Sequence, residues 1–270
     1  MQTQKNPKRV VVVGDVHGQF DPFVKILRHA KLIDGQNNWC GGHDRLVQMG
    51  DIFDRGPFSR KVDDLLDTIQ QQAKTAGGEV VRLVGNHELE PLLSNFVISG
   101  FSKEEAQFMR EKMTRQVLCG DLRAAYAYKG YLFTHAGVTH KLYRIFQMQL
   151  DEPSSNNLAV LINLIFKESI KHEFFKHPIF NISIHRKGVN RFGGIFWEDL
   201  DDVGETISNE ADVTDENDYW GGKLIKDGKE VDRWKHSTSY LSTYVKTQEN
   251  VEAKALTVRT PARFSSATVV

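Results

Sequence analysis

Three short runs of mainly apolar residues near the start of the chain are each followed by a glycine. They cover residues 9–13, 45–49 and 79–84. Short segments of this kind that stop at a turn residue are typical of buried strands. Residues 21–32 and 62–69 carry apolar side chains three or four positions apart, which predicts amphipathic helices, and residues 89–96 are interpreted as the start of a third helix. Alternating strands and helices favour parallel βαβ units.

The rest of the chain carries a different set of signals. Ser102 followed by Glu105 is a capping box, which predicts a helix from there to about residue 117. Residues 124–128 and 131–134 are interpreted as a hairpin joined by a Lys-Gly turn. Further predictions are a helix over 158–175, an exposed acidic loop over 199–218, and two strands over 255–258 and 267–270.

Four clusters of glycine and polar residues follow predicted strands. They are Gly14-Asp15-Val16-His17-Gly18, Gly50-Asp51-Ile52-Phe53-Asp54-Arg55-Gly56, Gly85-Asn86-His87-Glu88 and Thr134-His135-Ala136-Gly137. In open α/β sheets, ligands bind outside the carboxyl ends of the strands, so we expect all four clusters on one rim. A mixed set of oxygen and nitrogen donors suits divalent metals such as Mn, Fe or Zn. A single Gly-Asp pair after a strand most often caps the next helix, but turn chemistry alone does not explain four such clusters in order.

The four clusters resemble the signature motifs of calcineurin-like metallophosphoesterases. Arg55 and Glu88 make them most similar to the phosphoprotein phosphatase branch, and Leu89-Glu90-Pro91 suggests a bacterial-type or diverged member. The resemblance implies an α/β (α+β) fold, a four-layer β-sandwich flanked by helices, with a dinuclear metal site at the C-terminal ends of strands. It replaces the purely parallel sheet as our prediction of the architecture.

The resemblance also implies a set of metal ligands for two divalent ions, Mn, Fe or Zn. Asp15 and His17 resemble ligands of the first metal, Asp51 resembles the bridging carboxylate, and Asn86 and His135 resemble ligands of the second metal. The family usually adds a late histidine in a Gly-His-Thr context, which is absent here. The remaining late histidines are His172, His177, His185 and His236. His236 is our candidate because its order in the chain fits; the alternative is a solvated surface histidine.

Three further residues resemble the family's catalytic groups. His87 is similar to the general acid, Asp54 to the carboxylate that orients it, and Arg55 to a phosphate-binding arginine. A planar guanidinium matches two phosphate oxygens. A second phosphate-binding arginine is expected after the fourth cluster, and no motif chooses between Arg186 and Arg191, for which the alternative is an exposed cation.

The predicted organisation is a single catalytic domain over residues 1–270. Helical insertions are expected roughly at 100–120 and 139–176, with a C-terminal part over 199–270. The alternative for the helices in the two insertions is that they cover the core.

The net charge of the chain bears on its possible binding partners, and its cysteine content bears on its cellular compartment. The chain has 35 Lys and Arg against 35 Asp and Glu, a formal net charge of +0. This balance argues against binding to nucleic acid by bulk charge and against a polybasic membrane-surface protein, so we expect neither partner. Cys40 and Cys119 are too few for a disulfide framework, and residues 1–9 lack an apolar signal core. We therefore expect a cytoplasmic protein with reduced thiols; the oligomeric state stays open.

These observations predict a metal-dependent phosphoester hydrolase. The expected substrates are proteins carrying phosphoserine or phosphothreonine, or small phosphomonoesters, cleaved by direct attack of a metal-bound hydroxide. One alternative is a dinucleoside polyphosphate hydrolase of the Ap4A type, and another is a non-catalytic pseudophosphatase that binds phospho-ligands. The intact Asp54, Arg55, Asn86 and His87 favour the two enzymes over the pseudophosphatase.

Overall fold

The computed structural model describes residues 9–94, 97–183, 186–190, 193–197, 225–226, 229–230, 256–258 and 267–269. The chain divides into two units. The first comprises the described parts of Met1–Ala124, Phe166–Phe174 and Val251–Val270. The second comprises the described parts of Ala125–Ile165 and Phe175–Asn250.

The elements alternate between strands and helices in the first half of the chain. The strands are β1 Val10–Val13, β2 Arg45–Gln48, β3 Glu79–Leu83, β4 Leu122–Arg123, β5 Tyr126–Tyr128, β6 Tyr131–Phe133, β7 Ile225–Lys226, β8 Lys229–Glu230, β9 Leu256–Val258 and β10 Ala267–Val269. The helices are α1 Phe20–His29, α2 Ser59–Ala76, α3 Asn86–Leu93, α4 Lys103–Cys119, α5 His140–Gln147 and α6 Ser155–His172, and a short 3₁₀ helix covers Pro178–Phe180.

A six-stranded sheet in the order β4-β3-β2-β1-β10-β9 organises the first unit. Strands β1 to β4 run parallel, as the alternation of strands and helices predicts. The purely parallel sheet that periodicity suggests is wrong, because β10 pairs antiparallel with β1 and β9 antiparallel with β10. Only residues 259–266 separate β9 from β10, which is too short for the crossover connection that parallel pairing needs.

The core of the first unit lies between this sheet and its helices. Leu27 of α1, Leu46 of β2 and Leu66 of α2 are fully buried. Burying a leucine side chain stabilises a fold by about 1.5–3 kcal/mol relative to leaving it exposed. The apolar spacing that predicts α1 and α2 is therefore the spacing that the core uses.

Helix starts follow their capping residues. In α4, the Glu105 N–H donates to Ser102 Oγ over 3.2 Å and the Ser102 N–H donates to Glu105 Oε2 over 2.7 Å, which confirms the predicted capping box. Helix α3 begins three residues before the predicted position, because the Gly85 N–H donates to the Glu88 carboxylate over 2.8 Å. That bond satisfies an N–H at the helix start, so Asn86 is the first residue of the helix.

A group of buried charges, which we call the charge-balanced cluster, joins α2, β3 and α4. Its members are Asp63, Asp67, Arg82 and Lys112. Arg82 donates to Asp63 and to Asp67 over 2.5 Å each, Lys112 donates to Asp63 over 2.5 Å, and Lys112 also pairs with Asp67. Two carboxylates thus meet two cations, which offsets the cost of removing these charges from water.

The second unit contains the predicted hairpin, formed by the antiparallel pair β5 and β6. The Asn163 side chain on α6 ties down its start, since it accepts from the Ala125 N–H over 3.1 Å and donates to the Ala125 carbonyl over 2.7 Å. Helix α6 confirms the helix predicted over 158–175, shifted by three residues. Strands β7 and β8 form a second antiparallel pair.

Two sequence predictions have different outcomes at the end of the chain. The strands predicted over 255–258 and 267–270 are confirmed as β9 and β10. The acidic loop predicted over 199–218 lies outside the described residues. Among the residues that are described, no helix combines the length and apolar character needed to cross a bilayer.

Candidate active site

The carboxyl ends of β1, β2 and β3 bring three of the four clusters together in the first unit. The N–H groups of Val16 and His17 both donate to the Asp51 carbonyl, over 2.9 and 2.8 Å, which joins the loop after β1 to the loop after β2. The His87 N–H at the start of α3 donates to Asp51 Oδ1 over 2.9 Å, which joins the third. Neighbouring parallel strands therefore deliver their polar residues to one place, as expected for an open α/β sheet.

His17 lies at the centre of this arrangement. Its Nδ1 lies 2.8 Å from the Phe53 carbonyl oxygen. Because a carbonyl only accepts, Nδ1 carries the proton, and Nε2 of the neutral ring carries a lone pair. Burial is the largest influence on the pKa of His17 and lowers it, against the raising effects of the Phe53 hydrogen bond and of the Asp51 charge. The ring is therefore neutral near pH 7.

The lone pair of His17 Nε2 points at carboxylates. Nε2 lies 3.5 Å from Asp51 Oδ2 and 3.7 Å from Asp15 Oδ2. These distances are too long for hydrogen bonds, and the buried Nε2 has no hydrogen-bond partner among the residues described. Three electron-pair donors thus converge without a proton to share, an arrangement that a cation stabilises.

The donor set fits a divalent metal ion. Ligand atoms of His17 and Asp51 lie within 4.8 Å of each other, and so do those of Asp15 and Asp51. Metals of the zinc type bind imidazole nitrogen and carboxylate oxygen at about 2.0–2.2 Å, so two donors on one ion lie about 3–4 Å apart. The separations around His17 Nε2 fall in that range. Asp15 is half-exposed, which leaves the group open to solvent.

His87 is oriented by a buried carboxylate. Its Nδ1 lies 2.8 Å from Asp54 Oδ2, and the other oxygen of Asp54 accepts from the Ser99 N–H over 2.6 Å. The opposite nitrogen of the ring, Nε2, lies 3.3 Å from Nη2 of the exposed Arg55. An imidazole and a guanidinium therefore stand side by side at the opening, with the carboxylate behind them.

The electrostatics of this pair favour a protonated imidazole. Burial lowers the pKa of His87, but the hydrogen bond to Asp54 and the charges of Asp51 and Asp54 outweigh it, so the pKa lies above its ordinary value. Burial raises the pKa of Asp54, but the hydrogen bonds from His87 and Ser99 outweigh it, so that pKa lies below its ordinary value. An ionised Asp54 thus supports a proton on His87.

Glu88 holds the loops together from beneath, a role that the sequence interpretation missed. Its carboxylate accepts from three backbone N–H groups, those of Asp51 over 2.6 Å, Ile52 over 2.8 Å and Gly85 over 2.8 Å. Burial, followed by the charge of Asp51, raises the pKa of Glu88 to about 7, against the lowering effect of these three bonds. The only signal in the sequence is a glutamate at the third position of a helix that begins after a glycine.

The backbone around the site is strained and tightly packed. His17, Asp51, Asp54 and Arg55 have positive φ angles of 45°, 56°, 61° and 60°. Non-glycine residues in this region cost of order 1–3 kcal/mol each and cluster at functional sites. Gly50 also has a positive φ of 100°, and a Cβ there would lie 2.3 Å from the Gly85 nitrogen. Glycine is therefore required where the ends of β2 and β3 meet.

The two remaining predicted ligands belong to different units. Asn86 is the half-buried first residue of α3, next to His87. His135 lies in the second unit, two residues after β6, and its turn is held by the Ala136 N–H, which donates to the Ile195 carbonyl over 2.8 Å. The tryptophan segment that follows Ile195 is thus beside the fourth cluster within the second unit.

The late histidines and arginines give a mixed result. His236, His185 and Arg191 lie outside the described residues. His177 accepts the Ile179 N–H at its Nδ1 over 3.2 Å and stacks on Phe146, which is a structural role. The Arg186 N–H donates to the Ser183 carbonyl over 2.9 Å within the second unit.

Fold and site together define a class of protein. The family model of calcineurin-like phosphoesterases matches residues 8–244, so the chain belongs to this family. Membership implies divalent metal ions, which agrees with the donors around His17. The fold is accordingly the metallophosphoesterase fold, a mixed arrangement of helices and sheets.

Individual relatives are phosphatases. The chain is 35% identical over 97 residues to Shewanella-like protein phosphatase 2 of Arabidopsis thaliana, which is 36% of this chain and 25% of the relative. It is 39% identical over 80 residues to Shewanella-like protein phosphatase 1 of Plasmodium berghei, which is 30% of this chain and 22% of the relative. The chain thus spans a quarter or less of these relatives.

A solved structure has the same fold. The cold-active protein-tyrosine phosphatase of a psychrophilic Shewanella species matches with a TM-score of 0.51 at 23% identity, covering 72% of this chain and 58% of its own. At this identity the likeness extends to the fold alone.

Proposed function

We propose that this protein is a metal-dependent phosphoester hydrolase. Its proposed substrates are proteins carrying phosphoserine or phosphothreonine, or small phosphomonoesters. The observation that carries the proposal is the convergence of the His17 Nε2 lone pair with the carboxylates of Asp15 and Asp51, beside the His87–Arg55 pair. Such a site combines a place for cations with a proton donor and a guanidinium.

The proposed metal ligands combine geometry with the family resemblance. Asp15, His17 and Asp51 are supported by the distances among them. Asn86 and His135 are proposed on the resemblance, and His236 is proposed on its order in the chain. We propose two ions drawn from Mn, Fe and Zn, because the donors mix carboxylate, amide and imidazole groups. When bound, such ions act as Lewis acids toward phosphate oxygens and lower the pKa of bound water.

The chain's own residues supply the remaining chemistry. The Arg55 guanidinium donates hydrogen bonds to two phosphate oxygens, and its planar geometry orients the phosphoryl group. As hydroxide derived from water forms the new bond to phosphorus and the ester bond breaks, the Nε2 proton of His87 passes to the leaving oxygen, which leaves a neutral imidazole. Asp54 keeps the Nδ1 proton in place throughout, so the ring cannot rotate away. Because Arg55 Nη2 lies 3.3 Å from His87 Nε2, one phosphoryl group can meet both.

We propose a single catalytic domain over residues 1–270, with helical insertions at roughly 100–120 and 139–176. The family model spans both units, which supports this organisation.

Manganese-dependent hydrolysis of p-nitrophenyl phosphate tests the function. We expect activity in the metal-loaded protein, loss of activity with a chelator, and recovery when Mn²⁺ is added back. Asp51→Asn is the control, because it removes one carboxylate charge and keeps the size of the side chain. If the wild type is no more active than Asp51→Asn, the protein is not a hydrolase of this kind.

The nature of the leaving group tests the role of His87. p-Nitrophenolate leaves without receiving a proton. The alkoxide of a serine side chain, in contrast, must be protonated as it leaves. We therefore expect Asp54→Asn to slow hydrolysis of a phosphoserine peptide by about 10²–10⁴-fold and hydrolysis of p-nitrophenyl phosphate much less. Equal losses on both substrates would contradict the general-acid role. Parallel assays with diadenosine tetraphosphate decide between the phosphatase and the dinucleotide hydrolase.

A further inference from the structure

A pocket lies at the start of α2, next to Arg55. Its volume is about 520 Å³, within the range of about 300–1,000 Å³ that small-ligand sites occupy. The residues that line it include Arg55, Phe58, Ser59, Arg60, Lys61 and Phe101. Since Arg55 also contacts His87, the pocket continues directly from the proposed reaction centre.

Two cationic side chains that line this α2 pocket, those of Arg60 and Lys61, are held in place by neighbouring aromatic rings. Arg60 stands 4.5 Å over the ring of Phe101 and pairs with Glu105, which lies outside the lining. Lys61 Nζ stands 4.6 Å from the ring centroid of Phe58. Cations over aromatic faces are attracted to them, so these side chains are positioned before a ligand arrives. Within the described part of the chain, the lining contains no acidic residue.

The start of α2, whose residues Ser59, Arg60 and Lys61 line the pocket, adds helix N–H groups to this region. Its N-cap residue, Phe58, provides no side-chain acceptor, and its first turn contains no acidic residue. The first N–H groups of a helix have no partner inside the helix, and the positive end of the helix dipole favours anions.

Ser59 is an independent sign of a missing ligand. Ser59 is one of the lining residues and is only 3% exposed. As far as the structure describes the chain, its Oγ has no hydrogen-bond partner. A buried hydroxyl without a partner costs free energy, and a ligand oxygen reaching the base of the pocket removes that cost.

We propose that the α2 pocket binds a second anionic group of a phosphopeptide substrate. The group is the carboxylate of Asp or Glu, or a second phosphate, carried by a residue beside the phosphorylated one. Arg60, Lys61 and the start of α2 contact the oxyanion, while the rings of Phe58 and Phe101 cover the methylene groups that carry it. The proposal rests on the proposed function, because the first phosphate is taken to lie at Arg55 and His87.

Peptide binding measures this preference without turnover. The probes are phosphonate analogues of one phosphoserine peptide, with Gln, Glu or phosphoserine at the flanking positions. Dissociation constants come from fluorescence anisotropy with the metal-loaded protein. We expect the Glu peptide to bind wild type about 10-fold more tightly than the Gln peptide, the effect of one charge-assisted hydrogen bond. The doubly phosphorylated peptide separates phosphate from carboxylate as the preferred anion.

Two variants locate the preference in the pocket. Lys61→Gln is expected to lose most of the Glu-over-Gln ratio, and Lys61→Glu to reverse it. The matched control is Lys74→Gln, on the same helix about 20 Å further along its axis, which keeps the wild-type ratio. The ratio should also fall as salt is raised, because exposed charges are screened.

The outcomes separate the two proposals. A wild-type ratio near one, or a ratio that Lys61→Glu leaves unchanged, overturns the pocket. Hydrolysis of the matching phosphopeptides without any preference keeps the proposed function and removes the pocket. A preference in binding without hydrolysis of any peptide or of p-nitrophenyl phosphate keeps the pocket as a site for phosphopeptides and removes the proposed function.

Discussion

Two groups of charged side chains, each partly buried, lie in the first unit, and their charges are balanced in different ways. In the charge-balanced cluster, Asp63 and Asp67 meet Arg82 and Lys112, so the chain supplies both signs. Around His17, the carboxylates of Asp15 and Asp51 face a neutral ring nitrogen instead. We call this second group the active-site cluster; it also includes Asp54, Arg55, Asn86 and His87.

The difference separates a structural role from a functional one. Removing a carboxylate from water costs several kcal/mol unless a cation offsets the loss. Where the chain provides the cation, the site needs nothing further and fixes α2, β3 and α4 against one another. At His17 Nε2 the facing groups are carboxylates, and a bound cation would supply the positive charge that the chain does not place between them. The presence of buried charged residues therefore does not by itself indicate a functional site. Whether the chain supplies charges of both signs is the more informative feature.

The backbones of the two clusters differ in the same sense. Asp63, Arg82 and Lys112 lie within regular helices and a strand. His17 and Asp51 lie in loops at positive φ, held by the Glu88 carboxylate and by contacts between loops. Strain of that kind persists only where the surrounding structure enforces it.

The largest expected effect breaks the active-site cluster at His17. In His17→Asn, the side-chain amide can still donate to the Phe53 carbonyl, but the Nε2 donor is gone. We expect kcat/KM to fall by about 10³-fold or more, since bound metal supplies several kcal/mol of transition-state stabilisation. The metal-free variant should unfold at nearly the wild-type free energy, because the Phe53 hydrogen bond is kept.

Metal titration followed by chemical denaturation checks this prediction. Wild type should gain about 2.7 kcal/mol of stability at a metal concentration of 100 times the dissociation constant. His17→Asn should gain little at that same concentration. A full gain in the variant would show that His17 is not a ligand.

The charge-balanced cluster should respond in the opposite way. Asp63→Asn leaves Arg82 and Lys112 short of one negative charge, so we expect a loss of about 3–5 kcal/mol in unfolding free energy. Metal stoichiometry of the folded protein should stay at the wild-type value. Asp67→Asn is the matched comparison, because its side chain is 34% exposed and pairs nearer to solvent contribute less than buried ones, so we expect a smaller loss than in Asp63→Asn. Equal losses in the two variants, or loss of metal in Asp63→Asn, would contradict the comparison.

Local patterns predict one part of this picture and miss another. The strands β1 to β3 and the helices α1 and α2 follow from runs and spacings within a few residues. The antiparallel placement of β9 and β10 does not, because pairing with β1 joins segments from opposite ends of the chain. Sequence spacing carries no information about such a pairing.

The same division holds for the side chains. The residues Asp15, His17, Asp51 and His87 stand directly after strands, so their meeting at one rim follows from the sheet. Glu88 accepts hydrogen bonds from backbone N–H groups of another loop. Every residue type except proline has such a group, so the sequence does not predict these bonds. The metal and catalytic roles that we assign stay predictions.

Glu88 tests whether the active-site cluster depends on support from below. In Glu88→Gln, one carboxylate oxygen becomes an amide nitrogen, so at least one of the three N–H groups faces a donor. We expect metal affinity to fall by about 10–100-fold, as for other groups that orient ligands. Calorimetric metal titration measures it. Glu79→Gln is the control, since Glu79 pairs with Arg45 at the other end of β3 and should leave the affinity unchanged; a matching fall there would point to general damage.

The smallest expected effect sharpens the comparison through pH. Burial raises the pKa of Asp63, but the charges of Arg82 and Lys112 outweigh it, so the pKa lies below the ordinary value of 3.8. Between the folded and unfolded pKa values, the unfolded chain binds more protons, so stability falls as pH falls through this range. The stabilisation is fully present above the unfolded pKa and is lost once the pH lies below the folded one.

Removing this carboxyl should flatten the acid limb of the stability curve. We expect the unfolding free energy of metal-free wild type to drop more steeply below about pH 4 than that of Asp63→Asn, because the variant has no group that titrates at this position. Denaturation of both proteins from pH 3 to pH 6 measures the slopes. His17→Asn should keep the steep wild-type limb, since its change lies in the other cluster. Parallel curves for wild type and Asp63→Asn would mean that Arg82 and Lys112 do not hold the Asp63 charge, and that the balance of the cluster is not what stabilises it.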